Sequence, residues 1–226
     1  TSLQASDTVQ VVVNPATGGG TVWKVAYDMS GGADFSTITG AVAAAAAGDT
    51  IRVIKSPHTE NGILVSKTLT FEGLGGASNM VVQAATNRLT AANRIFESTV
   101  TNIAITFRDL TLRYGFARKN IHGGAIKMGG YSTLVVQRCS VENNDATNGL
   151  SYGGGVYCRG TTTVSECTFS GNKTAKGGGL CHDAGSGAYP FGVYNSTFSG
   201  NSGTNNQGGA IYEIRVAGWT SSVYNC

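Results

Sequence analysis

Apolar and polar side chains alternate in four short segments of the second half of the chain. Ile105 to Leu112 reads I-T-F-R-D-L-T-L, and Leu134 to Val141 reads L-V-V-Q-R-C-S-V. Thr162 to Phe169 reads T-T-V-S-E-C-T-F, and Phe191 to Phe198 reads F-G-V-Y-N-S-T-F. A period of two marks a strand with one buried face. Laid over one another, the segments form columns. Phe107, Val136, Val164, Val193 and Val223 make one, and Leu110, Cys139, Cys167, Ser196 and Cys226 the next. Leu112, Val141, Phe169 and Phe198 make a third. Two residues, not one, separate the first and second columns, so each segment bends there into two strands.

Two motifs recur between these segments. Gly-Gly-small-aliphatic begins at Gly123, Gly153, Gly177 and Gly208, and predicts a third strand after a corner. An apolar-x-x-Asn motif ends at Asn144, Asn172 and Asn201, advancing by 28 and then 29 residues. Fixed periods of this size mean stacked structural units. Three short strands per unit predict an all-β fold, a right-handed parallel β-helix. Its coils are spaced about 4.8 Å apart. The Asn column is expected at a turn, as a structural ladder in which each amide bonds the next coil. Asp109, Arg138 and Glu166 share one outward column and predict a surface ion-pair ladder.

The first half carries the start of the stack. Phe35, Ile38 and Val42 form a helical stripe within residues 33–47, with Asp34 or Ser36 as cap and Gly48-Asp49 as stop. A solenoid must cover its first open coil, and an amphipathic helix does so. Strand patterns precede it at Val9 to Val13 and Val22 to Tyr27. Others follow at Thr50 to Ile54 and Ile63 to Phe71, with one more coil in 74–104 that loops irregularly at Ala84 to Arg94. The chain is therefore expected to be one continuous domain, with strands and capping helix in 1–49 and coils in 50–226. At the far end, Ser222 to Cys226 matches Gly192 to Ser196 and the sequence stops mid-coil. A longer chain, a cut piece, or another copy of the molecule stacked on that end each accounts for this.

The run A-D-F-S-T-I, A-G-D-T-I-R-V, T-E-N-G-I-L-V, L-T-F-E-G across roughly residues 33–76 resembles the opening of secreted β-helix proteins of the pectate-lyase-like superfamily. Gly-Gly-Ala-Ile and Phe-Ser-Gly-Asn, across roughly 123–211, resemble the repeats of bacterial polymorphic outer-membrane proteins. Both resemblances imply a secreted or cell-surface protein. Both describe a fold that serves enzymes, adhesins and structural proteins alike.

Composition narrows the function. Glycine is 33 of 226 residues while proline is 3, which suits tight winding. Charged residues are 13% and the net charge is +3, too small to imply nucleic acid. No run of 18 apolar residues exists, so no membrane-spanning helix is expected. The chain begins without a methionine or signal peptide, as a mature or excised fragment does. Five cysteines stand at 139, 158, 167, 181 and 226 without metal-ligand spacing, so neither zinc nor another cofactor is expected. Those in the inward column read as free thiols. Cys158 and Cys181 sit one residue out of step. Cys226 is the candidate for an intermolecular bond.

The acids are few, and no stacked carboxylate pair or family motif marks a catalytic site, so no catalytic residue is assigned. The candidate chemistry is instead a basic, aromatic stretch: Arg113, Tyr114, Phe116, Arg118, Lys119, His122 and Lys127, with Arg108 and Arg138 nearby. Charge and ring stacking of this kind suit an anionic glycan. His182 is expected to be structural, and Tyr157 and Tyr212 to stack outward. Asn172-Lys173-Thr174 and Asn195-Ser196-Thr197 match the glycosylation triplet. The hydroxyl column Thr111, Ser140, Thr168, Thr197 is expected outward, but one residue wide. A structural or adhesive β-helix is the leading reading. An acidic-polysaccharide-binding or -cleaving module is the alternative.

Overall fold

The computed structural model describes residues 20–118, 121–147, 149–187, 189–214 and 221–226. Strand β1 (Val22–Val25) leads to one helix, α1 (Ile38–Ala44). The first coil follows as β2 (Thr50–Val53), β3 (His58–Thr59) and β4 (Ile63–Leu64). The second coil is β5 (Leu69–Gly73), β6 (Val81–Gln83) and β7 (Phe96–Ser98). The third is β8 (Ala104–Arg108), β9 (Thr111–Arg113) and β10 (Ile126–Met128). From the fourth coil a fourth short strand joins each turn. The fourth coil is β11 (Thr133–Gln137), β12 (Ser140–Glu142), β13 (Asp145–Ala146) and β14 (Val156–Cys158). The fifth is β15 (Thr162–Ser165), β16 (Thr168–Ser170), β17 (Lys173–Lys176) and β18 (Leu180–Asp183). The sixth is β19 (Phe191–Tyr194), β20 (Thr197–Ser199), β21 (Ser202–Gln207) and β22 (Ile211–Ile214), and β23 (Ser221–Tyr224) opens a seventh.

Every described strand pairing is between neighbouring coils. The first sheet runs β1-β2-β5-β8-β11-β15-β19-β23, the second β3-β6-β9-β12-β16-β20, the third β4-β7-β10-β14-β18-β22. The fourth-strand corner adds a sheet of β13, β17 and β21. The protein is a parallel β-solenoid, three-stranded per coil in its main sheets. The sequence pattern did not disclose the fourth sheet, because its strands carry mixed small and polar residues with no period of two.

The register places the sequence columns on one another. Phe107, Val136, Val164 and Val193 align in the first sheet, and Leu112, Val141, Phe169 and Phe198 in the second. Their side chains fill the core, which continues through Phe71, Phe96 and Phe107. Those three rings lie 4.8 to 5.1 Å apart between centroids. The bend between first and second sheets has a conformational cause. Asp109, Arg138, Glu166, Asn195 and Asn225 all have positive φ, from 48° to 59°. One left-handed residue per coil turns the chain through the corner. Arg138 forms a two-pronged ion pair with Asp109 at 2.8 Å.

The Gly-Gly corner depends on the absence of Cβ atoms. A Cβ on Gly154 would lie 2.4 Å from the Gly178 carbonyl oxygen and 2.6 Å from that of Lys173. The coils approach too closely there for any side chain.

The helix is shorter than the 33–47 pattern and capped differently. Thr37 is its N-cap, its hydroxyl accepting from the Gly40 amide. Asp34 instead accepts from the Lys24 amide, and Phe35 bridges to Val25. Glu60, from the turn between β3 and β4, accepts from the amides of Ile38 (2.7 Å) and Thr39 (2.9 Å). The helix ends at Ala44, with Ala45 as its C-cap, before Gly48-Asp49. Asp49 ties that end to β1 by accepting from Ala46, Thr21 and the Trp23 indole. The Val9 to Val13 pattern lies outside the described residues.

Candidate functional site

The Asn column sits at the corner after the second sheet. Asn144 and Asn172 are fully buried. Each Nδ2 donates to a carbonyl of the previous coil: Asn144 to Leu112, Asn172 to Val141 and Asn201 to Phe169. Asn144 and Asn172 also donate to the next Asn Oδ1, each at 2.9 Å. The same Oδ1 atoms accept the backbone amides of Asn144 and Asn172. This ladder corrects the glycosylation reading at Asn172, whose amide is enclosed and fully bonded. Asn195 is exposed, with its Oδ1 accepting from Asn225.

The basic stretch is divided among faces. Arg113, on the second sheet, stacks over Tyr114 at 4.9 Å and donates to Gln83, with Glu142 at 3.8 Å. Phe116 bridges to Asp145 at the fourth-sheet corner. With Arg88, Leu89 and Lys173 it lines an open groove there, and Arg88 is paired with Asp145 at 2.6 Å. Arg118 is exposed, and its Nε donates to the Ala92 carbonyl. Lys119 lies outside the described residues. His122 and Lys127 belong to the third-sheet flank. Lys127 pairs with Glu97 at 2.8 Å, Arg108 with Glu72, and Arg138 with Asp109. Much of the positive charge is thus met by carboxylates one coil away.

The third sheet carries an aromatic flank instead. Its column facing away from the core, read through the register, is Glu97, Lys127, Tyr157, Cys181 and Tyr212, in which Tyr157, expected to stack outward, and Cys181 are buried by their neighbours. His122 packs against Tyr152 at 4.8 Å and Tyr157 at 4.5 Å, and its Nδ1 accepts from the Tyr152 amide. Burial, with Lys127 nearby, pulls its pKa down to about 4, so the ring is neutral. Tyr152 and Tyr212 stack, and the Lys176 ammonium lies over both rings. Tyr157 donates to Asp183 at 2.7 Å, and burial pushes its phenol pKa up.

On the far side of Tyr157, at the corner leading to the first sheet, Tyr131 and Tyr189 stack at 5.0 Å and 12°. Arg159 donates to the Tyr131 hydroxyl at 2.8 Å and lies 3.4 Å from Asp183. Neither Tyr131 nor Tyr189 was legible as a site residue. They are far apart in sequence, and only their common place just before a first-sheet strand links them.

The cysteines are all free. The register sets Cys158 opposite His182 and Cys181 opposite Tyr157, so the two face opposite sides of the sheet. Burial pushes the Cys158 thiol up to about 12. Cys226 is exposed. His182 is fully buried, stacked on Phe191 at 4.7 Å, with Nε2 at 2.8 Å from the Gly160 carbonyl. Thr111, expected outward, is buried because the chain after β5 covers it, and its hydroxyl donates to Ala77. Among the described residues, no group of three or more His, Cys, Asp or Glu is placed to hold a metal ion, and no helix is long and apolar enough to cross a membrane.

Fold and flank define a repeat-built parallel β-solenoid with one aromatic face. The Chlamydia polymorphic membrane protein repeat matches residues 166–183 and 195–212. Those segments run from the bend through the Asn ladder and Gly-Gly corner into β18 and β22, so the chain is a β-helix carrying repeats like those of that family. No curated protein and no solved structure is detectably similar to it.

Proposed function

We propose that the chain is a rigid segment of a secreted or cell-surface protein, serving an adhesive or structural role. The observation that carries this reading is the repeat match at 166–183 and 195–212, which includes Lys176 and Tyr212 of the aromatic flank. The name of that family places its members at membranes. The architecture suits the role: a solenoid holds its flanks at fixed spacing, so binding residues on successive coils form an extended surface without a deep pocket.

The test is location and attachment together. Antibody against the chain should label intact cells of the producing organism, and beads coated with the protein should adhere to a target surface in competition with free protein. Electron microscopy of the same preparation reads end-to-end assembly. Labelling only after cells are broken open overturns the surface reading.

A further inference from the structure

The corner between the third and first sheets contains a groove of about 410 Å³. Tyr131 and Tyr189 form one wall; Thr68, Asn102, Thr133 and Thr161 supply polar groups. No lining side chain carries a charge. We propose that this groove binds a neutral glycan, with the face of Tyr189 turned away from Tyr131 as the stacking platform for a sugar ring, Tyr131 as its backing between Tyr189 and the Arg159 guanidinium, and the threonine and asparagine side chains as hydrogen-bonding partners for its hydroxyls.

Three observations support the assignment. The first is chemical match. A pyranose presents an apolar C–H face and a rim of hydroxyls, which pairs with aromatic surface and uncharged hydroxyl and amide groups. An acidic sugar would want a cation in the lining. The nearest one, Arg159, is already engaged by the Tyr131 hydroxyl and Asp183.

The second is preorganisation. Tyr157 donates to Asp183, Asp183 faces Arg159, and Arg159 donates to Tyr131. The chain holds the Tyr131 ring in place before any ligand arrives, which lowers the entropic cost of binding. The third is the glycine that leaves room for it. Gly185 has φ +57°, and a Cβ there would lie 2.8 Å from the Tyr131 hydroxyl and 3.2 Å from Arg159 Nη2. Asp183 fixes that turn as well, its Oδ1 accepting from the Gly185 amide at 2.9 Å.

This deepens the adhesive reading by naming a ligand class. The test uses the intact chain and affinity electrophoresis through gels containing neutral polysaccharides (cellulose derivative, mannan, xylan, glycol chitin) or acidic ones (polygalacturonate, heparin). At least one neutral gel should retard the protein. Tyr189→Ala should weaken that binding by about tenfold, the scale of one lost aromatic contact. Tyr131→Phe, which keeps the ring but loses the hydrogen bond from Arg159, should weaken it less than Tyr189→Ala does. Thr161→Glu, which sets a charge in the groove, should abolish it without touching the ring pair. Thermal melts confirm that each variant is folded. Retardation by acidic gels alone, by none, or unchanged in both Tyr189→Ala and Thr161→Glu overturns the proposal. A protein found on the cell surface that binds none of the probes keeps the surface reading and ends this one. A glycan binder confined to the cell interior does the reverse.

Discussion

Asn172 makes four side-chain hydrogen bonds inside the protein: two accepted from Asn144, one donated to Val141 and one to Asn201. Removing the amide leaves partners on the coils before and after it unpaired, each loss costing about 1–3 kcal/mol. Asn172→Ala is therefore expected to lower the unfolding free energy by about 3 kcal/mol or more, measured by urea denaturation. Asn201→Ala, at a part-buried position, should cost less. His122 makes a different residue-scale prediction. Its folded-state pKa, about 4, lies below the ordinary 6.5, so the unfolded chain takes the proton first. The stability this supplies is complete above pH 6.5 and is lost as pH falls toward 4. Buried His182 is shifted in the same direction, chiefly by burial. Glu60 and Glu97, with Asp28, Asp49 and Asp145, also have lowered values, but most of their contribution is lost only below about 4.5. Urea melts at pH 7 and pH 5 should thus isolate the histidines. We expect a loss of roughly 1 kcal/mol from half-buried His122 after solvent screening, and a smaller pH dependence in His122→Gln.

At the scale of elements, α1 shows what a local pattern conveys and what it omits. The stripe at Ile38 and Val42 located the helix, because burying one face needs only helical spacing. The boundaries were not legible. The start is set by Glu60, which comes from the next coil and satisfies two of the helix's free amides. Glu60→Ala should cost about 1 kcal/mol, and amide exchange at Ile38 and Thr39 should rise with it. The coils follow the same division. Columns of Phe, Val and Cys were readable because each apolar residue recurs at a fixed step. The fourth sheet was not, since Asp145, Lys173 and Ser202 align there without sharing any polarity. The aromatic flank was half legible: Tyr157 and Tyr212 follow the repeat, whereas Tyr131 and Tyr189 sit in aperiodic corners and meet only because coils stack. The basic stretch is dispersed for the converse reason. Neighbours in sequence, such as Arg113 and Lys127, belong to different sheets once the chain turns.

Across the whole molecule, stability is a sum over adjacent coils, because each described strand pairs only with the coil before and after it. The array therefore has joints, and the Gly-Gly corner is a tight one. At Gly154 the fourth coil meets the Gly178 and Lys173 carbonyls with no space for a Cβ. Gly154→Val must push these backbones apart and break the ladder between fourth and fifth coils. The coils on either side keep their own cores: Phe71, Phe96 and Phe107 on one, Phe169 and Phe198 on the other. The expected outcome is a break confined to that joint. Amides in β14 to β18 should lose hydrogen-exchange protection while those in β5 to β8 keep theirs, and the urea transition should become shallower. A uniform loss of protection from β2 to β22 would mean that the stack unfolds as one cooperative unit. Its rigidity would then be a property of the full length, and a binding flank could not be shortened coil by coil without losing the platform it presents.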